Sequence, residues 1–277
     1  MGLPDAPPAG RGVHWWGTVA YPASLVLLFL GGQMLLGTLG VPADRRAAPA
    51  ALPAVLALVI SLPVRLRQTW GAAQPWRTLG VRARSPDLAR ALGRGMAWAA
   101  LLLLLVTAGL GLAGQVAWQP RLSPGLLLNA TLLGLGVGFA EELLFRGWLL
   151  GELGLLLGAQ RALWLQAALF SLVHTRFNLP PLQLAGLLVG LLLLGLALGL
   201  LRRADGGLLW GATALHGGLV GGWFVLSQGL LVVRPAAPPW LVGPDNPIGG
   251  VLGWLGLGLL LLAERHWWSS CTGSRLG

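Results

Sequence analysis

Lysine is absent from this 277-residue chain, tyrosine and cysteine occur once each, and only 10% of the residues are charged. A soluble domain carries nearer a quarter of charged residues, so the scarcity excludes an ordinary water-facing globular fold. The single cysteine, Cys271, excludes an intrachain disulfide framework and a cysteine-based zinc site. All 19 basic residues are arginines and the formal net charge is +10. A nucleic-acid partner would need that charge gathered on one face with aromatic platforms. Here the arginines punctuate the gaps between apolar runs, which fits anchors at a membrane surface and argues against nucleic acid.

What is abundant points the same way. Hydrophobic residues make up 55% of the chain, and the mean hydropathy is +0.73. Eight apolar segments can be drawn, at about 15–41, 49–63, 95–117, 125–150, 160–175, 181–201, 207–233 and 247–263. A bilayer is spanned by about 20 residues of helix, so the expected fold is all-α, a polytopic transmembrane bundle of about eight helices. The first run is too long for a cleaved signal peptide and reads as a retained helix. Pro22 and Pro63 are expected to kink or end their helices. No linker divides the chain, which reads as one membrane-embedded domain over 1–277. The connection from Val64 to Gly93 is rich in arginine, and its Pro75–Arg82 stretch predicts a turn followed by a helix capped by Ser85.

Arginine placement orients the bundle. Putting the Val64–Gly93 connection in the cytoplasm leaves 13 arginines on that side against 5 opposite, Arg146 excluded, a positive-inside bias that makes both termini cytoplasmic. Trp15, Trp16, Trp118, Trp240, Trp267 and Trp268 fall at predicted segment ends, where interfacial aromatics belong.

One stretch breaks the apolar pattern: Gly138-Phe139-Ala140-Glu141-Glu142-Leu143-Leu144-Phe145-Arg146-Gly147. Each ionisable group at the centre of a membrane helix costs roughly 2.5–3.5 kcal/mol on insertion scales. Such a cluster is a functional-site hypothesis by default. Glu142 and Arg146, four apart with the acid first, predict an ion pair on one helix face. Glu141 is rotated about 100° away and is left to face something else, so Glu142 reads as structural and Glu141 as reactive. Four histidines exist, and two of them, His174 and His216, lie within or at the edge of apolar runs. His174 stands near the outer end of the fifth segment, apart in depth from Glu141. Gly134 and Gly138, Gly217 and Gly221, and Gly218 and Gly222 have the small-xxx-small spacing that lets helices approach closely.

Glu141-Glu142-x-x-x-Arg146, then Phe170-x-x-x-His174, then His216 on a later helix resemble the CPBP (CAAX protease and bacteriocin-processing, or Abi) family of intramembrane proteases, over about Gly125 to Val225. Phe145-Arg146-Gly147 and Arg202-Arg203 share in the likeness. The resemblance implies an endopeptidase acting on a membrane-associated peptide or protein: Glu141 with His174 activates a water, His216 helps hold the oxyanion, and Phe170 packs the site. A divalent metal such as zinc, held by Glu141, His174 and His216, and metal-free chemistry both stay open. The family's last motif places Asn or Asp four residues after the histidine, where this chain has Val220. That departure keeps a second reading in view, a catalytically impaired relative serving as scaffold, immunity or chaperone-like factor. A proton- or ion-coupled transporter would call for inverted repeats and broken helices, and the sequence shows neither.

Overall fold

The computed structural model describes residues 12–243 and 246–263. Arg11, Asp245, Arg265, His266, Trp267, Trp268, Cys271 and Arg275 lie outside them, and with them the expected placement of both termini. The described residues form two compact units, 12–78 and 79 onward.

The first unit is a helical hairpin of α1 (Trp15–Thr38) and α2 (Ala47–Thr69). Tyr21 meets Ser61 across it through a 2.9 Å hydroxyl–hydroxyl bond, and the Arg65 guanidinium lies 5.0 Å from the Tyr21 ring centroid. Both helices run through their prolines. Pro22 lies inside α1 and Pro63 inside α2, so of the two expected effects, a kink or an end, neither proline ends its helix. The short second segment extends at both ends, through Arg65 and Arg67.

In the second unit, α3 runs unbroken from Ser85 to Leu112. The membrane segment expected from residue 95 and the connection helix expected before it are therefore one element. Ser85 is not its cap: the N-cap is Arg84, with no side-chain cap bond, and Pro86 supplies a preset φ for the first turn. Then come α4 (Pro124–Leu157), α5 (Ala159–His174), α6 (Pro181–Ala204), α7 (Trp210–Val225) and α8 (Val251–Ala263). Helix α4 changes to π-helical winding over Leu143–Leu149, and α7 continues into a π-helical turn at Leu226–Leu230. The seventh apolar segment does not stay helical to its end: β2 (Leu231–Val233) pairs antiparallel with β1 (Val116–Trp118). Among the described residues five helices (α1, α2, α3, α4 and α6) are long and apolar enough to cross a membrane. With the shorter α5, α7 and α8 they make a polytopic helical membrane fold.

Glycine sets the packing around α7. Gly217 and Gly221 face α4, where a Cβ on Gly134 would come 2.7 Å from the Gly217 carbonyl oxygen and one on Gly138 2.8 Å from the Gly217 Cα. Gly218 and Gly222 face α3 instead, against Ala99 and Leu103. Two small-residue faces one residue apart thus let α7 sit against two neighbours at near-backbone contact. That closeness is what lets a short side chain on α7 reach a carboxylate on α4.

Candidate active site

Glu141 and Glu142 end the α-helical part of α4, immediately before its π-helical stretch. π-Helical turns recur at functional sites because one extra residue per turn re-aims the side chains around it. The paired carboxylates diverge in burial and in partner. Glu142 and Arg146 are fully buried and joined through Oε1 and Nη1 at 2.7 Å. Glu141 is 28% exposed and His174 27%. Only Glu141 of the two acids is therefore within reach of water.

The structure joins Glu141 to His174 despite their separation in the segment map. Gly158, with φ of 81°, turns the chain almost midway between them, so α4 and α5 run back against one another and return His174 to the height of Glu141. His174 Nε2 lies 2.8 Å from Glu141 Oε2. On the other side of the ring Nδ1 donates to the Phe170 carbonyl at 2.8 Å. With Nδ1–H engaged, a neutral ring offers only a lone pair at Nε2, which cannot sit at that distance from a bare carboxylate. One proton is therefore shared between Glu141 and His174.

His216 approaches from α7 and touches both acids. Its Nδ1 lies 2.9 Å from Glu142 Oε1 and its Nε2 3.8 Å from Glu141 Oε2. Glu142 Oε1, the same oxygen that meets Arg146, is the acceptor of that contact and Nδ1–H the donor. Phe170, fully buried, is the packing centre: its ring centroid lies 4.4 Å from that of His174 and 5.6 Å from that of His216. The Arg146 guanidinium carbon lies 4.1 Å from the same ring centroid. An aromatic face beneath a desolvated cation adds to what the Glu142 ion pair supplies.

Sequence reasoning missed a supporting layer. The Gly195 carbonyl on α6 accepts from Gln166 Nε2 at 3.2 Å and from Arg146 Nη2 at 3.4 Å. A Cβ on Gly195 would come 2.9 Å from the Ala167 Cα, so only glycine admits the close approach of α5 and α6. Arg202, counted above as a surface anchor, instead bonds the Arg146 carbonyl within the π-helical stretch and, at 3.2 Å, the Gly207 carbonyl. The polar residue Gln166, one turn before Phe170 on an apolar helix, was the available signal for this layer.

These groups line a cavity of about 340 Å³ whose wall is otherwise mostly apolar. Glu141, His174 and His216 all face it, and so do Val220, Ser227 and Asn246. Val220 brings only methyl groups to a wall where an amide or acid would bring a polar atom. As a metal centre the set does not fit: ligands on a tetrahedral zinc stand about 3.3 Å apart or more, from bonds near 2.0 Å, whereas Glu141 and His174 are closed on each other at 2.8 Å. Among the described residues no group of three His, Cys, Asp or Glu is disposed to hold an ion.

Residues 123–221 match the family model described as Type II CAAX prenyl endopeptidase Rce1-like. This segment belongs to the CPBP/CAAX protease family. The CAAX-protease segment takes in Glu141, His174, His216 and Val220, and stops before the loop that carries Asn246. No curated protein matches the chain.

Proposed function

We propose that the protein is an intramembrane endopeptidase that hydrolyses a peptide bond of a membrane-associated substrate with a water activated by Glu141 and His174. The observation that carries this reading is the 2.8 Å contact between Glu141 Oε2 and His174 Nε2 on the wall of a cavity, with a fully buried Glu142–Arg146 pair behind it. A general base must lie within hydrogen-bond reach of the water it deprotonates, and of the two acids Glu141, partly exposed on the cavity wall, is the one placed for this. Water attacks the carbonyl carbon as its proton passes to the Glu141–His174 pair. The C–N bond then breaks, and the same proton goes to the departing amine nitrogen.

His216 serves the developing oxyanion. Glu142 engages Nδ1 and leaves the Nε2 side of the ring, on the cavity wall, to meet the oxyanion. A preorganised donor in a dry site stabilises developing charge strongly. Phe170 and Arg146 hold both imidazoles in place.

The test is hydrolysis by the purified full chain in proteoliposomes, against quenched fluorescent peptides that include a farnesylated CAAX peptide and an unmodified membrane-spanning peptide. Cleavage of either that disappears in Glu141→Gln supports the reading. Cleavage unchanged in Glu141→Gln, or none by the wild-type chain, overturns it.

A second reading, a family member without proteolysis, is favoured by one observation: Val220 puts an apolar side chain on the cavity wall. Persistent inactivity against the panel, together with one membrane protein that co-purifies at fixed stoichiometry, would support it.

A further inference from the structure

Asn246 lies well beyond the family segment, in the loop that leads into α8, yet it faces the same cavity as Glu141, His174 and His216. Its loop is built into the fold. Pro247, Ile248, Gly249 and Gly250 are buried. The Ile248 and Gly249 carbonyls lie on a face of α6 that Gly190 and Gly186 leave bare, and a Cβ on Gly186 would come 2.5 Å from the Gly249 oxygen. Trp254 Nε1 donates to the Gly186 carbonyl at 3.0 Å and fastens the start of α8 to the same spot.

That spot is level with His174. Along the antiparallel α5 and α6, Leu163 meets Gly199, Ala167 meets Gly195, and Ser171 Oγ donates to the Leu188 carbonyl at 2.7 Å. Carried one turn further, the register sets His174 beside Gly186, where the loop docks.

The chemistry of Asn246 is half committed. Its side-chain oxygen accepts from Ile248 N–H at 3.1 Å, and its main-chain oxygen accepts from Gly249 N–H at 3.0 Å. Both oxygens close the turn, and the Nδ2 amide is the group left to donate. A peptide entering a mostly apolar cavity brings carbonyl oxygens that lose their water, and leaving one unpaired is costly. The Glu141–His174 pair is engaged with itself and His216 Nδ1 with Glu142. Asn246 supplies an uncharged donor, and its turn holds that donor in place before substrate arrives.

We infer that Asn246 is a further substrate-binding residue, donating its Nδ2–H to a main-chain carbonyl of the bound peptide. This rests on the endopeptidase reading, and the experiment separates the two. Asn246→Asp keeps the oxygen that caps Ile248 N–H and replaces the amide donor with a carboxylate oxygen; Asn246→Ala removes both. The full chain is reconstituted with the peptide panel above, and kcat and KM are measured with melting temperature for wild type, both variants and Glu141→Gln. The expected result is a fall in kcat/KM of roughly 5- to 100-fold for both variants, carried mainly by KM, with the Asp variant melting as wild type does. Asn246→Asp within twofold of wild type while Glu141→Gln is inactive assigns Asn246 to the turn alone and overturns the inference but not the peptidase. A wild-type chain that cleaves nothing overturns both.

Discussion

His216 divides its ring between two neighbouring acids, Nδ1 at 2.9 Å from Glu142 and Nε2 at 3.8 Å from Glu141. It thereby links the buried ion pair to the acid that reaches the cavity. Changes on either side of the ring should have different consequences, stability on one and chemistry on the other.

Glu141→Gln keeps the size of the side chain and removes the proton acceptor. Peptide hydrolysis should fall by 10²-fold or more, about what a positioned general base contributes. The melting temperature should stay within a few degrees, since the residue is partly exposed. Single-turnover cleavage and a thermal melt on the same preparation check both statements.

Arg146→Ala should act oppositely. It leaves Glu142 as a buried carboxylate without its guanidinium partner and opens a space under Phe170. Loss of one partner of a buried pair costs about 3–5 kcal/mol, which a chemical or thermal melt in detergent would register. The double variant Glu142→Ala/Arg146→Ala should lose less than the sum of the singles, because each single strands a charge that the double removes.

The contact between α4 and α7 can be tested with two glycines on one helix. Gly138→Ala brings a Cβ to 2.8 Å from the Gly217 Cα, whereas Gly136→Ala meets nothing within 4 Å. The first should destabilise by about 1–3 kcal/mol and reduce activity by drawing His216 away from Glu141. The second should be neutral, or stabilise by up to about 1 kcal/mol through helix propensity. Equal melting temperatures for the two variants would contradict the packing described.

Gly190→Ala tests the docked loop from a distance. The added Cβ collides with the Ile248 carbonyl and should displace the turn that holds Asn246. KM for the peptide should rise as it does in Asn246→Asp, although residue 246 is unchanged. An unaltered KM with a native melt would show that the loop does not bear on binding.

Much of this was written in the sequence because the bilayer leaves few options. Long apolar runs must be helices, an acid and an arginine four apart in such a run must pair, and the histidines stranded in apolar surroundings must have partners. The Gly-xxx-Gly repeats around His216 also marked the contacts that bring α7 against α3 and α4. Ser85 misled because Pro86 begins the helix without a side-chain cap. Arg202 misled because arginine at the end of a membrane helix reads as a surface anchor, whatever carbonyl it can bend back to reach.

Sequence alone determined the class of fold and the identity of the polar groups, since hydropathy and i,i+4 spacing are local properties of a helix. Which imidazole meets which acid was decided only by tertiary structure: by the turn at Gly158 that brings His174 back to Glu141, by the bare helix faces that let His216 span both carboxylates, and by a loop remote in sequence that lays Asn246 along the same cavity. Those distances are set by how helices pack on one another, and no periodicity within a single helix encodes them.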